Sequence, residues 1–523
     1  MTGAGMLFWV QLRRDLGQIL LWSLGIAVLY WSQAVSVESL YGTPQEFEEA
    51  AASMEGNAAF VAMTGPARAL DTVGGQVTWQ SAALGSVLVA LMVMVLTGRN
   101  TRGAEESGRD ELVRASPVGR YSVVTASVLE AMTASVVVGT AVAASLIAYP
   151  LAVADSLALG LGLALVGWCF TAVTLVAAQL TAGVRATYGL VGALLAAAYL
   201  LRAVGDTTGS WVSWASPIGW YQAMHAFSGV RWWPLVAPAA ATAGGLVGAY
   251  VLLRHRDHGA GLLADRPGPS RAGRCLSGGG GLAWRLHRGS VAGWAGSLFA
   301  AGLAYGSIGD DVEDLLGDSE MGRTLLAGEG VDLVAAFQAT SLLMLALIAS
   351  GFTVSAALRM KSEEIGHRVD PLVAASLSRG RWWAGHALVN LAGSAVVLGA
   401  AGIGFGLGYG TTTGHWGRLA VLVPAQLAYL APAMVLAAWS WVLYGLGTRW
   451  AVLAWTGPAV AVGVGYFGDL LDLPTWLQAL SPYEHLAQVP SESFAWLPLL
   501  GTSVLALLLA VGGLWAFNAR DLD

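Results

Sequence analysis

The sequence predicts an all-α polytopic membrane protein, with twelve transmembrane helices laid out as two parallel six-helix repeats. Three observations predict it. Hydrophobic residues fill 56% of the 523 positions and charged residues only 11%, against about 25% charged in a soluble domain. Apolar runs of roughly 20 residues recur along the chain, the length that crosses a bilayer as a helix. One charged motif occurs twice, between the second and third spans of each half. The shortage of charge excludes an ordinary cytosolic enzyme, a disordered chain and a nucleic-acid-binding protein.

In chain order, the expected spans are 17–36, 78–97, 122–148, 156–181, 184–204, 234–253, 290–308, 333–357, 383–408, 419–446, 450–468 and 496–517. The first follows Arg13 and Arg14 but has no small-residue cleavage site, so it reads as a retained span and not a signal peptide. Loops 98–121, 254–289 and 358–382 are rich in basic residues, whereas loops 37–77 and 309–332 are acidic, the former with Arg68 as its one basic residue. Cytoplasmic loops carry the excess of arginine, so the basic loops and both termini are expected in the cytoplasm. Within 37–77, Thr43-Pro44-Gln45-Glu46 has capping-box spacing with proline at the first helical position, which predicts a short external helix. That helix reads either as a solvated lid or as part of a ligand site. The Gly/Pro/Arg-rich stretch 255–285 contains Arg266-Pro267-Gly268-Pro269 and reads as a cytoplasmic linker between a first half, 1–254, and a second half, 286–523. Cys169 lies in an apolar run and Cys275 in the linker, so no disulfide is expected.

The repeat is the most informative feature. Glu105, Glu106 and Gly108 match Glu363, Glu364 and Gly366; Arg109 matches Arg368, Leu112 matches Leu372, Ala115-Ser116 match Ala375-Ser376, and Arg120 matches Arg381. Glu111 and Asp370 add acidic charge to the same stretches. Six spans per half is an even number, so the halves run parallel, related by an axis along the membrane normal. Glu105 and Arg109 are four residues apart, as are Glu364 and Arg368; on a helix such pairs contribute ~0.3–0.5 kcal/mol each. Pro117 is expected to end the first short helix. The motif either sets topology as a solvated charged loop or docks a cytoplasmic partner. Topology needs arginines but has no need of paired glutamates at the same place in both halves, which favours docking.

The segment from Glu105 through Arg120, ending in Pro117-Val118-Gly119-Arg120, resembles the cytoplasmic loop of ABC-2-type exporter permeases. With the repeat included the resemblance covers nearly the whole chain, which is similar to the fused twelve-span actinobacterial antibiotic and multidrug exporters of the tetronasin or polyketide-antibiotic type. Ser216-Pro217-Ile218-Gly219-Trp220, followed by Trp232-Trp233, and the near-exclusive use of arginine over lysine fit that group. The second motif departs from the pattern: Leu377 and Ser378 stand where Pro-Val is expected, and Pro371 comes earlier. The resemblance implies an ABC-2 (type V exporter-like) permease fold. It implies that Glu105, Glu106, Gly108, Arg109, Glu111, Leu112, Pro117 and Arg120, with Glu363, Glu364, Gly366, Arg368, Asp370, Leu372 and Arg381, belong to coupling helices that dock an ATPase. It implies external re-entrant segments at 206–232 and 470–495, carrying Ser216, Pro217, Trp220, Ser481 and Pro482. It further implies two copies of a cytoplasmic ABC ATPase subunit holding ATP and Mg, a hydrophobic small-molecule substrate, and residence in a bacterial plasma membrane.

The remaining residues set the mechanism. The single lysine, Lys361, follows Met360, and Ser355 stands at the first glycine position of a Walker A motif, so the chain has no P-loop of its own. No metal-ligand spacing or nucleophile elbow is present in the sequence, and neither a cofactor nor a metal is expected in this chain. Glu130 sits about eight residues into the third span, ~12 Å along a helix, and Asn390 takes the corresponding place in the ninth. Polar residues in spans are costly and mark a path, an interface position or a helix–helix hydrogen bond. Gln179 and Gln426 read as interhelical glue or as path residues. Pro424, Pro432 and Pro458 predict kinks. The alternative reading is a proton-coupled secondary drug transporter of the major facilitator class. Gly98-Arg99 and Gly108-Arg109 imitate that class's loop motif, but Glu105-Glu106 and the acidic external loops fit it poorly.

Overall fold

The computed structural model describes residues 2–40, 58–263, 271, 273, 276, 278–309, 332–375, 377–467 and 474–521. Among these residues all regular secondary structure is helical, and ten helices are long and apolar enough to cross a membrane. They cover ten of the expected spans. The expected span 290–308 lies in a 28-residue helix, Gly279–Gly306, whose first half carries Arg285, His287 and Arg288 and which is not one of the ten. The expected span 450–468 is the shorter apolar stretch Trp450–Gly465. The Thr43–Glu46 capping box, most of the acidic 309–332 loop, Cys275, Ser376 and the start of the 470–495 segment lie outside the described residues.

The chain divides into two compact units, residues 1–268 and 269–523. Unit 1 contains α1 (Ala4–Leu40), α2 (Ala58–Thr64), α3 (Val73–Asn100), the short α4 (Arg102–Glu106) and α5 (Arg109–Arg114), then α6 (Ser122–Ala148), α7 (Val153–Leu180), α8 (Val184–Thr208), α9 (Pro217–Gln222) and α10 (Val236–His255). Unit 2 contains α11 (Gly279–Gly306), α12 (Leu333–Ala357), the short α13 (Arg359–Ile365) and α14 (Asp370–Ala375), then α15 (Arg379–Thr413), α16 (Leu419–Ala428), α17 (Leu430–Leu446), α18 (Thr456–Phe467), α19 (Thr475–Gln478) and α20 (Trp496–Ala519). In both units the second long helix runs into a pair of short helices before the third begins.

Apolar side chains gain little from each other's company in lipid, so close backbone approach has to hold such helices together. The sequence supplies it with glycines four residues apart. On α11 and α15, a Cβ at Gly302, Gly306, Gly404 or Gly408 would lie 2.3, 2.0, 2.1 or 2.3 Å from a carbonyl oxygen of the facing helix. On α6 and α7, Gly139 and Gly160 each bring a backbone so near that a Cβ would sit 2.2 Å from the other's carbonyl oxygen, with Ala143 and Ala164 one turn on. The kinks expected at Pro424 and Pro432 correspond to a break at Tyr429 that separates α16 from α17. Proline has no N–H for the carbonyl four residues back, so the backbone there is free to turn.

Candidate functional site

The first charged motif folds as two short helices and not one. Gly108 adopts a left-handed backbone, φ 71°, at the junction of α4 and α5. That break corrects the expected Glu105–Arg109 pair: four-residue spacing brings side chains together only along an unbroken helix. Arg109 donates instead to the Ser107 hydroxyl at 2.9 Å. Glu105 turns inward, accepting from Arg102 at 2.8 Å and from Arg256, which follows α10. Arg102, 1% exposed, also donates to the Ala178 carbonyl at 2.5 Å and the Ala260 carbonyl at 2.8 Å. Ala178 lies in the last turn of α7, where the helix leaves carbonyls without internal donors and favours a cation. Glu106 accepts from the Val184 N–H at 3.0 Å, so it caps the N-terminus of α8. Arg120 donates to the carbonyls of Leu253 at 3.1 Å and Arg254 at 3.4 Å in the last turn of α10. Three of the residues expected to dock a partner therefore knot together the ends of α7, α8 and α10. Glu111, Leu112 and Arg109 point outward, Leu112 being 78% exposed, and Pro117 is exposed beyond them.

The second motif has the same logic with a shifted register. His367, φ 51°, breaks the chain between α13 and α14, so the expected Glu364–Arg368 pair does not form; Arg368 lies 3.6 Å from Glu363, which also accepts from Arg359 at 2.9 Å. Glu364, 1% exposed, accepts from both terminal nitrogens of Arg520 at 2.8 and 2.7 Å and from the Tyr444 hydroxyl. Arg520 follows α20 directly and lies over the Tyr444 ring, 5.0 Å from its centre. Arg379 donates to the Arg520 carbonyl at 2.8 Å. In each unit, then, a motif glutamate is held by the arginine just after the last helix. The contacts divide the match: Glu364 shares with Glu105 an arginine after the last helix, while Glu363 shares with it the arginine that opens the short helix, Arg359 in place of Arg102. Arg381 is exposed, as are Gly366, Asp370 and Ile365, while Leu372 packs part-buried beside Met360 and Trp382. Sequence reasoning missed Arg256 and Arg520, although a signal was present: an Arg-Asp pair, Arg256-Asp257 and Arg520-Asp521, follows each last span.

Glu105, Asp110 and His258 have ligand atoms within 4.8 Å of one another. Glu105 is already paired with two arginines, and Asp110 accepts from Arg114 at 2.6 Å. With three guanidinium groups at the cluster, the carboxylate charge is balanced without a cation, and the group is an ion-pair network.

The intramembrane polar residues divide by role. Glu130, fully buried, accepts from Asn100, the last residue of α3, and Asn100 donates to Asp15 at 3.1 Å. Arg99 lies 2.6 Å from Asp15, and Arg14 pairs with it at 2.9 Å. This cluster joins α1, α3 and α6 at the motif end of the bundle. Asn390 donates to the Thr353 carbonyl at 3.1 Å and accepts from Ser394 at 3.3 Å, tying α15 to α12. Gln179 donates within its own helix to Leu175 at 3.1 Å. Gln426 is buried, and among the described residues neither of its amide atoms has a hydrogen-bond partner. His287 and His386 form a buried pair, 3.2 Å between ring nitrogens, across α11 and α15. At the far ends of the units, Ser216 caps α9 by accepting from the Ile218 N–H at 3.2 Å, Pro217 opens that helix, and the Trp220 indole donates to the Trp214 carbonyl at 2.5 Å. Ser481 and Pro482 are buried in a turn after α19.

A cavity of about 910 Å³ lies in unit 2 between α15, α16, α17 and α20. Trp383, Leu391, Pro424, Met434, Trp441 and Trp496 are among the side chains that line it, and among the described residues Ser503 is the one hydroxyl in its wall. Pro424 and the residues on either side of the break, Ala428 and Leu430, also line it. Leu388, Trp496 and Leu507 on its rim are 66, 69 and 64% exposed on the unit's surface. The volume is that of a site for a drug-sized molecule, ~300–1,000 Å³.

A family described as the C-terminal domain of the multidrug efflux system permease Rv1217c matches residues 276–518. The multidrug efflux system permease protein Rv1217c of Mycobacterium tuberculosis (strain ATCC 25618 / H37Rv) is 38% identical over 525 aligned positions, covering 99% of this chain and 95% of the relative. The paired glutamate clasps, the membrane-length helices and the apolar cavity thus sit in a chain that belongs to the multidrug efflux system permease family.

Proposed function

We propose that the chain is the membrane-spanning subunit of an ATP-driven exporter of lipophilic or amphipathic compounds. In this reading it has the ABC-2 architecture, twelve spans in two parallel six-helix repeats with both termini in the cytoplasm of a bacterial cell. The apolar cavity of unit 2 carries the proposal. In lipid the gain for a lipophilic cargo comes from close packing against the wall and not from release of water, and a wall with one hydroxyl demands few specific polar partners. That combination suits varied cargo, as the relative's description as a multidrug permease suggests.

Hydrolysis would come from separate ATPase subunits, in two copies, that hold ATP and Mg; the chain itself lacks the P-loop spacing around Lys361. The outward faces of the short helices, Arg109, Glu111 and Leu112 in one unit and Ile365, Arg368 and Asp370 in the other, are exposed for docking. Glu364 and Arg520 then give a force path. A push on α13 passes through a bidentate ion pair into the end of α20, and α20 forms one wall of the cavity through Trp496 and Ser503. Glu105 and Arg256 join α4 to the end of α10 in the same way.

The test is to fill the cavity. Leu391→Trp and Met434→Trp each put an indole into its wall. In inverted vesicles containing the permease and its ATPase, each variant is expected to lower ATP-dependent uptake of a lipophilic cationic dye at least tenfold while membrane levels of the protein stay unchanged. Full transport by both variants would remove the cavity from the cargo path.

A further inference from the structure

At the end of unit 1 away from the glutamate clasp, basic side chains converge where the sequence is otherwise acidic. The 28-residue α3 spans ~42 Å between the two ends. Arg68 precedes it, in the stretch between α2 and α3, and is the one basic residue of the 37–77 loop. A pocket of about 170 Å³ is lined by Arg68, Asp206, Trp214, His225, Arg231 and Trp233. A smaller cavity beside it shares Pro66, Arg68, Gln222 and His225.

The pocket is built and not accidental. Arg68 donates to the Gln222 carbonyl at 3.2 Å, and the Arg231 backbone N–H donates to the Met224 carbonyl at 2.7 Å, which fixes the loop that carries it. His225 holds a left-handed backbone, φ 55°, a conformation that costs free energy for a residue with a Cβ. Trp214 and Trp233 stack with ring centres 5.0 Å apart and form one wall. Exposed Trp211, Trp232 and Trp233 crowd the same end, and tryptophan gathers at headgroup depth in a bilayer.

Among the described residues the charges do not cancel. Asp206 is shared with the buried Arg202, 3.6 Å away, so it cannot balance both Arg68 and Arg231 as well. Burial and the two arginines push His225 down to about 4, so the ring is neutral at pH 7 and able to accept or donate a hydrogen bond. Burial likewise lowers Arg68, with Asp206 opposing and Arg231 adding to the effect. Two guanidinium groups in a half-enclosed pocket form a good receptor for phosphate, whose oxygens take two parallel N–H donors. The pocket is too small for a drug-sized molecule but admits a phosphate group.

We propose that this pocket is an anion site for a phosphate group, held by Arg68 and Arg231, with a phospholipid headgroup as its ligand in the membrane. Its placement in the outer leaflet rests on the orientation proposed above; the site and its chemistry do not.

The full-length chain, purified in an uncharged maltoside detergent, is titrated by calorimetry with dihexanoyl-phosphatidylglycerol and, separately, with inorganic phosphate. Saturable binding is expected for the lipid, and weakening of at least tenfold in both Arg68→Gln and Arg231→Gln. Binding of inorganic phosphate with equal affinity and the same losses would support the anion site but make free phosphate its source. No saturable binding of either probe, or affinities in both variants within twofold of the parent chain, would overturn the proposal. Arg231 is exposed, so its variant is expected to keep the fold, and elution as a single species by size exclusion checks both variants. Neither ATPase nor transport is measured, so failure here is distinct from failure of the export reading.

Discussion

Replacing Arg520 by alanine tests the clasp of unit 2. Arg520 and Glu364 have side chains 15% and 1% exposed and are joined by two hydrogen bonds of 2.8 and 2.7 Å. Breaking a buried pair by removing one partner costs ~3–5 kcal/mol, because the remaining charge keeps its desolvation penalty. The Tyr444 hydroxyl still reaches Glu364, which places the expected loss near the lower figure, ~3 kcal/mol. For a folding unit of 150–250 residues, 1 kcal/mol moves Tm by about 2–4 °C, so Arg520→Ala is expected to lower it by ~6–12 °C. Arg368→Ala is the control: its side chain is 59% exposed and 3.6 Å from Glu363, the geometry of a surface pair worth ~0–1 kcal/mol. Thermal unfolding in detergent, followed by tryptophan fluorescence, reads both variants. Equal shifts in Tm would refute the assignment of Arg520 as the buried anchor.

The helix contacts and the basic pocket make further predictions. Gly404→Val puts a Cβ at a point 2.1 Å from the Phe299 carbonyl oxygen, so it should separate α11 from α15, cost ~3 kcal/mol and lower the yield of folded protein; Gly399→Ala, whose Cβ would be 3.7 Å from its nearest neighbour, should be tolerated. Both are read by recovery from membranes and by Tm. His225 titrates at about 4 in the folded chain against 6.5 when unperturbed, so the unfolded chain binds the extra proton first as pH falls. The His225 contribution to stability is therefore expected to drop as pH falls from about 6.5 towards about 4, and His225→Gln should remove that part of the pH dependence of Tm.

The spans were largely legible because apolar runs of membrane length leave few alternatives, and the alternating loop charge marked where the motifs would lie. Two spans read less plainly for opposite reasons. The helix Gly279–Gly306 has a charged first half, and the stretch at Trp450–Gly465 is short. The motif residues were legible as a group, but their partners were not. Four-residue spacing made Arg109 and Arg368 the natural partners of Glu105 and Glu364. Local breaks at Gly108 and His367 removed those pairs, and the cations came from Arg256 and Arg520, 151 and 156 residues distant in sequence. Spacing cannot report such a contact. The Gly302/Gly306 and Gly404/Gly408 pairs were visible as small residues four apart, but which helices they would join is fixed only by the packing. The apolar cavity gave no sequence signal beyond Pro424 and Pro432, since its walls are ordinary span residues.

We propose that the two motifs couple this permease to a separate ATPase. The most direct measurement is lipophilic-drug-stimulated ATP hydrolysis by the permease co-reconstituted with its ATPase, comparing the parent chain with Leu112→Asp/Ile365→Asp. Both side chains are exposed, 78% and 59%, so the substitutions alter the outward faces and leave the buried clasps in place. Drug stimulation is expected to fall at least tenfold and co-purification of the ATPase to be lost, with Tm unchanged. Undiminished stimulation with the ATPase still bound would contradict it.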